Sequence, residues 1–354
     1  MQPETTQPAE TGRETGNGTA GKLAPLVPGG RLLTNSRLAT RRRCAREHHL
    51  RFDLGYLPLQ DEDAPRRFGS LLHLGLEFWW RWHMAPDTGT ALASALLALP
   101  EDADPYDLAK ARALLIGYDA RWLDAMEDIE VLSVEVELTP VPIVNPVTGR
   151  ESRTWLIGGK LDAYVRRIST NQRLLVEHKT TSLSIDPGST YWRRLKIDAQ
   201  VSTYFAATDV EGCIYDVIVR PGTRPAKATA PESRKYTKDG RLYANQREAD
   251  ETPEEFFNRL VEAIGSEPDR YYARGDVVRL DGEIREHMAD VWGIAQTIRE
   301  DHKLQRWPRN ADGCERYGKM CAFFDVCTGS ASLDDRSLFQ RTDRVHRELA
   351  VIPS

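Results

Sequence analysis

The chain has 354 residues, of which 40% are hydrophobic and 29% are charged, and its net charge is −5. This composition is typical of a soluble globular protein, and the length allows one large domain or two. The negative charge does not indicate a nucleic-acid binder, although basic clusters lie at 39–46 and 191–196. Because no apolar run is long enough for a bilayer and the start lacks a signal-peptide pattern, we expect a cytoplasmic protein without a membrane partner.

The first half of the chain predicts helices followed by strands. Residues 1–30 are rich in Thr, Gly, Glu and Pro, and we expect a disordered tail there. Apolar periodicity predicts helices over 31–56, 66–84, 90–98 and 105–127. Three strands are expected over 130–141, 154–167 and 173–181. The short polar connections between these strands predict an antiparallel meander.

The second half continues with alternating elements. The pattern predicts a helix over 198–210, a strand over 213–220, and helices over 254–264 and 284–304. Residues 221–241 are polar and resemble an exposed loop or hairpin insertion. The sequence therefore predicts one α/β domain over 31–330, with a central mixed sheet flanked by helices and a C-terminal tail over 331–354.

Charged residues interrupt two of the predicted strands. Asp162 lies late in one strand, and Glu177 and Lys179 lie two positions apart in the next, so both point to one face of the sheet. Paired strands are about 5 Å apart, and two carboxylates at that distance repel unless a cation lies between them. The oxygen ligands suit Mg²⁺ or Mn²⁺. The alternative is a surface aspartate and a Glu–Lys pair that contributes little.

Two helices carry polar pairs at a spacing of four residues, which places each pair on one helix face. His73 and Glu77 lie on a mostly apolar helix and can supply further metal ligands; alternatively, His73 is a core histidine and Glu77 a helix-end charge. Gln200 and Tyr204 follow the Glu177 strand. Both can donate hydrogen bonds to a phosphate or a base, or simply cap the sheet.

The order of these motifs is more specific than any one of them. A helix with Gly69, His73 and Glu77 precedes a strand with Gly159 and Asp162; a strand with Glu177 and Lys179 and a helix with Gln200 and Tyr204 follow. This order resembles the PD-(D/E)XK nuclease superfamily, in its RecB-like and Cas4-like branch, over residues 31–330. The resemblance implies a restriction-endonuclease-like core.

The resemblance also implies site roles. Asp162, Glu177 and the main-chain carbonyl of His178 would bind Mg²⁺ or Mn²⁺, with His73 completing the metal shell and Glu77 as a further candidate. Lys179 would orient the attacking water, and Gln200 and Tyr204 would help to position the nucleic-acid strand. Divalent metal activates water near pH 7 and stabilises the charge that develops on a phosphodiester.

Cysteines are concentrated near the two ends of the predicted domain. Cys44 stands near the start, Cys314, Cys321 and Cys327 lie within fourteen residues, and Cys213 lies in an apolar strand. The spacing differs from the tight pairs typical of zinc sites. The resemblance to phage-type members of the branch implies a [4Fe–4S] cluster bound by Cys44, Cys314, Cys321 and Cys327. Zinc and free thiols are the alternatives. The cluster would join the chain ends.

The sequence thus predicts a metal-dependent DNA exonuclease, with the exonuclease type and the preference for DNA implied by the resemblance. Because the chain has no GxxxxGK[ST] motif for a helicase, single-stranded or frayed ends are the expected substrate, with a helicase or annealing protein as a possible partner in phage-type recombination or repair. One alternative is a catalytically silent DNA-end-binding adaptor for a recombinase or integration complex. Another is a zinc-stapled structural protein whose acidic strands only pack.

Overall fold

A computed structural model describes residues 30–59, 64–316, 318–346 and 348–349. The tail expected over 1–30 therefore lies almost entirely outside the described residues. The helices are α1 (Asn35–Arg43), α2 (Ala45–His48), α3 (Ala64–Met84), α4 (Ala91–Leu97), α5 (Pro105–Trp122), α6 (Thr190–Leu195), α7 (Ala199–Ala207), α8 (Pro253–Ser266), α9 (Pro268–Tyr271), α10 (Asp281–Leu304) and α11 (Phe324–Thr328).

The strands form one central sheet and three smaller assemblies. They are β1 (Leu32–Leu33), β2 (Tyr56–Pro58), β3 (Ile129–Glu137), β4 (Val141–Val144), β5 (Glu151–Ile157), β6 (Lys160–Arg167), β7 (Gln172–Thr181), β8 (Gly212–Val219), β9 (Tyr272–Val277), β10 (Glu315–Arg316), β11 (Lys319–Met320) and β12 (Phe339–Arg341). The central sheet has the order β3-β6-β7-β8-β9, and the smaller assemblies are β1-β5-β4, β10-β11 and β12-β2.

The central sheet is mixed. Its β3-β6-β7 portion is the antiparallel meander that the sequence predicts. β8 then runs parallel to β7, and β9 is antiparallel to β8. A parallel neighbour requires a crossover connection, which α6 and α7 provide. This arrangement confirms the predicted α/β class with a central mixed sheet flanked by helices.

Helices cover both faces of the central sheet, because alternate strand residues face opposite layers. On one face, Val176 of β7 and Ile214 of β8 pack with α3, α4, α5 and α8 in the largest apolar core. On the other face, Leu175 and Tyr215 pack with α6 and α7. Each central strand is thus buried on both sides, so a charged side chain on it needs a partner or a function.

Helix starts follow from local sequence signals. Asp104 caps α5 by accepting the main-chain N–H groups of Tyr106 and Asp107, and Pro105 occupies the first helical position. At α8, Thr252 and Glu255 form a reciprocal capping box. These two caps fix the helices that cover the sheet face opposite α7.

Two predicted elements are divided in the structure. The helix expected over 31–56 is broken into β1, α1, α2 and a π-helical turn at His49–Asp53. The strand expected over 154–167 is divided into β5 and β6 by Gly158 and Gly159. A Cβ at Gly158 would lie 3.0 Å from Leu32 Cδ1, so the break also permits β1 to approach β5.

Residues 331–346, in the region where the sequence analysis expects a tail, make tertiary contacts. β12 pairs with β2, and Phe339 stacks on Phe323 with ring centroids 5.3 Å apart. Val345 and His346 are buried, and His346 Nδ1 lies 3.3 Å from Thr34 Oγ1. The end of the described chain therefore packs against its beginning. Within the described ranges, no helix has the length and apolar character needed to span a membrane.

Candidate active site

The candidate active site lies at the end of the sheet toward which β7 and β8 both run. Ala163 of β6 pairs with Val176 of β7, so the next position of this antiparallel pair places Asp162 opposite Glu177. Asp162 Oδ2 accepts a hydrogen bond of 2.7 Å from the main-chain N–H of His178. Glu177 is only 4% exposed. The structure thus brings together the two carboxylates that the sequence predicts as neighbours.

Lys179 lies at the centre of a polar cluster on the α7 side of β7. Its Nζ donates hydrogen bonds of 2.8 Å to both Glu177 Oε1 and Gln200 Oε1. Asp198 Oδ2 lies 3.6 Å from the same ammonium group. Asp198 also caps α7 by accepting the main-chain N–H of Gln200 at 2.8 Å. A single capping residue therefore fixes both the start of α7 and a third carboxylate beside the lysine.

α7 holds the site through Gln200 and Tyr204, which lie on one helix face as predicted. Gln200 Nε2 donates to the Tyr204 hydroxyl at 2.8 Å, and that hydroxyl donates to the Lys160 main-chain carbonyl at 2.7 Å. A Cβ at Gly159 would lie 3.0 Å from Tyr204 Cε1. The glycine before Asp162 therefore leaves space for the tyrosine that joins α7 to β6.

The two candidates on α3 have different surroundings. His73 Nδ1 lies 3.8 Å from Asp162 Oδ1, and its ring meets the ring of His178 edge-to-face at 6.0 Å. Glu77, one turn further along, instead accepts a hydrogen bond of 2.8 Å from Arg81 Nε. His73 is thus the α3 residue that the structure places beside the acidic pair.

The charges of the site are unbalanced. Burial raises the pKa of Glu177 to about 8; Lys179 opposes this rise, and the neighbouring Asp162 carboxylate adds to it. Burial alone would lower the pKa of Lys179, but the neighbouring Glu177 and Asp198 carboxyl groups raise it. Removal from solvent lowers the pKa of His73, so its ring is neutral near pH 7. Three carboxyl groups therefore lie in a site with one ammonium group, and a bound cation would favour the ionised form of Glu177.

The donor set agrees in kind with Mg²⁺ or Mn²⁺, which prefer carboxylate oxygen and accept neutral imidazole. Asp162 Oδ1 faces His73, while Oδ2 is held by the main chain. Within the described residues, however, no group of three or more His, Cys, Asp or Glu side chains is arranged closely enough to hold a metal ion. The chemistry of the residues fits a divalent metal, and their present spacing is wider than that of a closed ligand shell.

A second polar network lies on the opposite face of the same strand. The His178 ring and Asp216 of β8 face the α3–α5 core, with His178 Nδ1 3.3 Å from Asp216 Oδ2. That carboxylate also accepts hydrogen bonds from the Tyr118 hydroxyl and, at 3.2 Å, from Arg274. Burial alone would raise the pKa of Asp216, but Arg274 and His178 hold it below its usual range. The network anchors the residue whose main-chain N–H binds Asp162.

A cavity of about 1310 Å³ opens beside the acidic pair. Gly69, His73, Asp162, Glu177 and Lys179 line it, together with residues of the β10-β11 segment. Several basic side chains are distributed along its walls: Arg43, Arg51, Arg194, Arg220, Arg316 and Lys319. The cavity thus combines an acidic centre with cationic walls, which suits an anionic polymer that is processed with the help of a cation.

The two segments that carry the predicted cluster cysteines lie against each other. Asn310 Nδ2 donates to the Arg43 carbonyl at 2.7 Å, and the main-chain N–H of Arg46 donates to the Pro308 carbonyl at 3.1 Å. These bonds flank Cys44 on one segment and approach Cys314 on the other. These hydrogen bonds hold the two segments together.

The four cysteines occupy one neighbourhood. The main-chain N–H of Cys321 donates to the Cys314 carbonyl at 2.6 Å. Burial raises the pKa of Cys327, and the charges of Cys44 and Cys314 add to the rise. Burial also raises the pKa of Cys321, to about 11. Thiols are soft donors of the kind that bind iron–sulfur clusters or zinc. Among the described residues, however, these cysteines are not arranged closely enough to hold a metal ion.

A mixed α/β sheet that brings an Asp, a Glu and a Lys to one cavity is consistent with the restriction-endonuclease-like fold. The family model of the PD-(D/E)XK nuclease superfamily matches residues 33–328, so the chain belongs to this superfamily. Its members are nucleases that typically use Mg²⁺ or Mn²⁺, which indicates a metal-dependent nuclease with DNA as the substrate.

Other comparisons are less informative. No curated protein matches the chain. Among solved structures, the crystal structure of SSO0001 is similar at 15% sequence identity, with a TM-score of 0.30, over 85% of this chain and 88% of that one.

Sequence reasoning missed Asp198 and the Asp216 network. Asp198 lies two residues before Gln200, where an N-cap is expected, so the capping signal was available. Asp216 lies in the apolar run 213–220, and an isolated acid within a buried strand is itself a signal. Its partners Tyr118 and Arg274 come from distant positions and cannot be identified from local patterns.

Proposed function

We propose that this chain is a DNA exonuclease that hydrolyses phosphodiester bonds at single-stranded or frayed ends in the presence of Mg²⁺ or Mn²⁺. The observation that carries the proposal is the presence of Asp162, Glu177 and Lys179 together in the lining of a cavity with basic walls. A purely structural Glu–Lys pair would require neither the adjacent Asp162 nor the large cavity.

The proposed roles follow from the contacts. Asp162, Glu177, His73 and the His178 carbonyl would hold the divalent ion, which when bound supplies an activated water and stabilises the phosphate charge. Lys179 is held protonated by two carboxylates, so its ammonium group would orient the water and bind a phosphate oxygen.

The helix α7 would keep this lysine in place. Gln200 accepts one of the three hydrogen bonds that the ammonium group can donate, and Tyr204 holds Gln200 in turn. The other polar groups around Lys179 face the cavity, where a DNA strand would lie along the basic walls. Residues of β10 and β11 also line the cavity, and the preference for a chain end comes from the family resemblance.

The proposal is tested by degradation of end-labelled linear DNA and covalently closed circular DNA in Mg²⁺ or Mn²⁺. We expect loss of the linear substrate alone, abolished by EDTA and by Lys179→Ala. Lys303→Ala, which removes an exposed lysine of α10 that is paired with Glu300, is the matched control and should retain activity. DNA binding without degradation in either metal would support the end-binding adaptor instead, and cleavage of closed circles would indicate an endonuclease.

We propose further that Cys44, Cys314, Cys321 and Cys327 hold a [4Fe–4S] cluster that staples the two ends of the domain, with zinc as the alternative metal. The hydrogen bonds between the two segments, and the influence of Cys44 and Cys314 on the pKa of Cys327, support this assignment. The role would be structural, because fixing these segments closes a loop of more than 250 residues.

Metal analysis of anaerobically purified protein tests the staple. We expect iron and sulfide in the wild type, their loss in Cys321→Ser together with a lower melting temperature, and their retention in Cys213→Ala, where the buried thiol of β8 is removed. Zinc in place of iron would select the alternative metal. Unchanged iron content in Cys321→Ser would remove that residue from the ligand set.

The biological setting is proposed from the family resemblance. A chain without a helicase motif would act on ends exposed by another protein, and an annealing protein would use the remaining strand. Phage-type recombination or repair combines these two steps.

A further inference from the structure

The segment between β8 and α8 forms an arm that projects from the central sheet. Residues near its base are paired across the arm: the main-chain N–H of Glu251 donates to the Ala226 carbonyl, and that of Thr229 donates to the Arg247 carbonyl, each at 2.9 Å. The carboxylate of Glu251 is buried and binds Arg259. The base is therefore firmly attached to α8.

The tip of the arm is a short hairpin over 234–243. Tyr236 and Leu242 form an antiparallel bridge. The main-chain N–H of Thr237 donates to the Arg241 carbonyl at 2.8 Å, and that of Tyr243 donates to the Lys235 carbonyl at 3.1 Å. Directly opposed residues of a hairpin share a face, so Lys235, Arg241 and Tyr243 lie on one face and Tyr236 lies on the other.

The hairpin is strongly basic in a chain of net negative charge. It contains four basic residues and one acidic residue, whereas the whole chain has a net charge of −5. Lys235, Lys238 and Arg241 are exposed and form no ion pair within the described part of the chain, in contrast to Lys227 at the base, which is paired with Asp250 at 2.8 Å. Positive charge at the tip is thus available to an external anion.

Two exposed tyrosines accompany these charges. Tyr236 is 52% exposed and Tyr243 is 45% exposed. A solvated loop has no need to present large aromatic rings, and their burial against the chain itself would be favourable. Basic side chains interleaved with exposed aromatic rings match the surface that binds single-stranded nucleic acid through phosphate contacts and base stacking.

The arm leaves the sheet at the rim of the active-site cavity. β8 runs parallel to β7, so its last residues lie at the same end of the sheet as Glu177 and Lys179. Arg220, the first residue beyond β8, lines the cavity, and its main-chain N–H donates to the Thr181 carbonyl at 2.7 Å. A DNA strand that leaves the cavity over Arg220 would therefore run toward the base of the arm.

We propose that the hairpin 234–243 is a binding site for single-stranded DNA, in which Lys235 and Arg241 contact phosphates and Tyr243 stacks on a base. This site rests on the proposed nuclease function, because it would retain the strand whose end occupies the cavity. Its ligand is the part of the substrate outside the cavity, so it would affect substrate binding and not the chemical step.

The test measures binding of fluorescent oligothymidylate in EDTA, where no cleavage occurs, as a function of salt. For single strands the slope of log affinity against log salt is about −0.7 per phosphate contact. We expect Lys235→Ala/Arg241→Ala to reduce the magnitude of the slope by about 1.4. Tyr243→Ala should weaken binding about tenfold with the slope unchanged. Arg270→Ala/Lys303→Ala removes two exposed, ion-paired cations elsewhere and should leave the slope unchanged.

A second measurement uses strand length. If wild-type protein degrades DNA, the double variant should raise KM for strands of about 16 nucleotides without changing kcat, and should leave strands of about 4 nucleotides unaffected. An unchanged salt slope with unchanged KM would overturn the arm site while leaving the nuclease proposal intact. A duplex oligonucleotide is measured in parallel. If the double variant weakens binding of the duplex but not of oligothymidylate, the assignment to single strands is overturned.

The salt slope also tests the arm site by itself. Absence of degradation by the wild type would overturn the nuclease proposal, and a reduced slope in EDTA would still support the arm. If either variant lowers the melting temperature, Lys235→Gln/Arg241→Gln repeats the test with the side-chain length largely retained.

Discussion

Two faces of strand β7 carry charged residues one position apart, and they differ in how those charges are balanced. On the core face, Asp216 meets Arg274 and the His178 ring, and a tyrosine hydroxyl satisfies it further. On the α7 face, Glu177 shares a single ammonium group, that of Lys179, with Asp198 and lies opposite Asp162. Both faces are buried, and Glu177, Lys179 and Asp198 of the second one line the large cavity.

Under the proposed function, the difference separates charges that stabilise the fold from charges that take part in the chemistry. A balanced buried network holds a low pKa for its carboxylate, whereas the unbalanced one raises the pKa of Glu177 to about 8. Burial without full compensation lowers stability. Burial of the Glu177 carboxyl group therefore costs free energy in the metal-free protein, and a bound divalent ion would offset this cost.

The largest expected effect is the loss of activity in Glu177→Gln. Removal of a metal-binding carboxylate should lower kcat about 10³-fold, equivalent to about 4 kcal/mol of transition-state stabilisation. The melting temperature of the metal-free variant should be unchanged or higher, because the variant no longer buries an ionisable carboxyl group and Lys179 keeps Asp198 and Gln200 as partners. Nuclease assays and calorimetry on the same preparation measure both quantities.

Asp162→Asn serves as the companion variant, since it removes the opposite carboxylate. A marked fall in the melting temperature of Glu177→Gln would contradict the comparison, because it would show that the acidic face also stabilises the fold.

Asp216→Asn should have the opposite effects: a large loss of stability and a small loss of activity. The change leaves Arg274 buried without its counter-charge, so the free energy of unfolding should fall by about 3 kcal/mol. Activity per folded molecule should fall less than tenfold, because the network only anchors His178. Urea unfolding gives the first quantity, and initial rates below the transition give the second.

The control for this variant is Tyr118→Phe, which removes one hydrogen bond to the same carboxylate and should lower the free energy of unfolding by about 1 kcal/mol. If Asp216→Asn abolished cleavage while retaining full stability, the core face would have to be included in the active site.

The sequence predicts the acidic face well because its signals are local. Strand alternation places Glu177 and Lys179 together, the hairpin sets Asp162 beside them, and helical spacing joins Gln200 to Tyr204. The core face depends on contacts between distant positions: Tyr118 is 98 residues from Asp216, and Arg274 is 58 residues from it. No periodicity carries that information.

The same limit applies to the fold. The meander and the long helices follow from periodicity, but β9 is a short, polar edge strand whose pairing is fixed by tertiary packing. Gly275 in β9 has no Cβ, and one built there would lie 2.7 Å from the ring of Trp192. The close approach of α6 to this glycine is visible only in three dimensions.

A smaller effect is expected from His287, which packs behind α7 with its Nε2 2.9 Å from Thr203 Oγ1. Burial lowers the pKa of His287 to about 4, with Arg42 and Arg279 adding to the shift and Asp290 and Asp198 opposing it. The unfolded chain, with a histidine pKa near 6.5, then binds more protons than the folded one, so stability falls as pH decreases from about 6.5 toward 4.

Partial exposure reduces the size of this effect, so we expect His287→Gln to remove about 1 kcal/mol of the stability difference between pH 7 and pH 5. Thermal unfolding of wild type and variant at the two pH values measures it, without metal and away from the acidic pair. Asp216 cannot produce a change in this range, because its low pKa keeps it ionised at both values. Identical pH dependence in the two proteins would mean that the back of α7 tolerates a charged imidazole, and that the α7 layer is less strictly buried than the core face of β7.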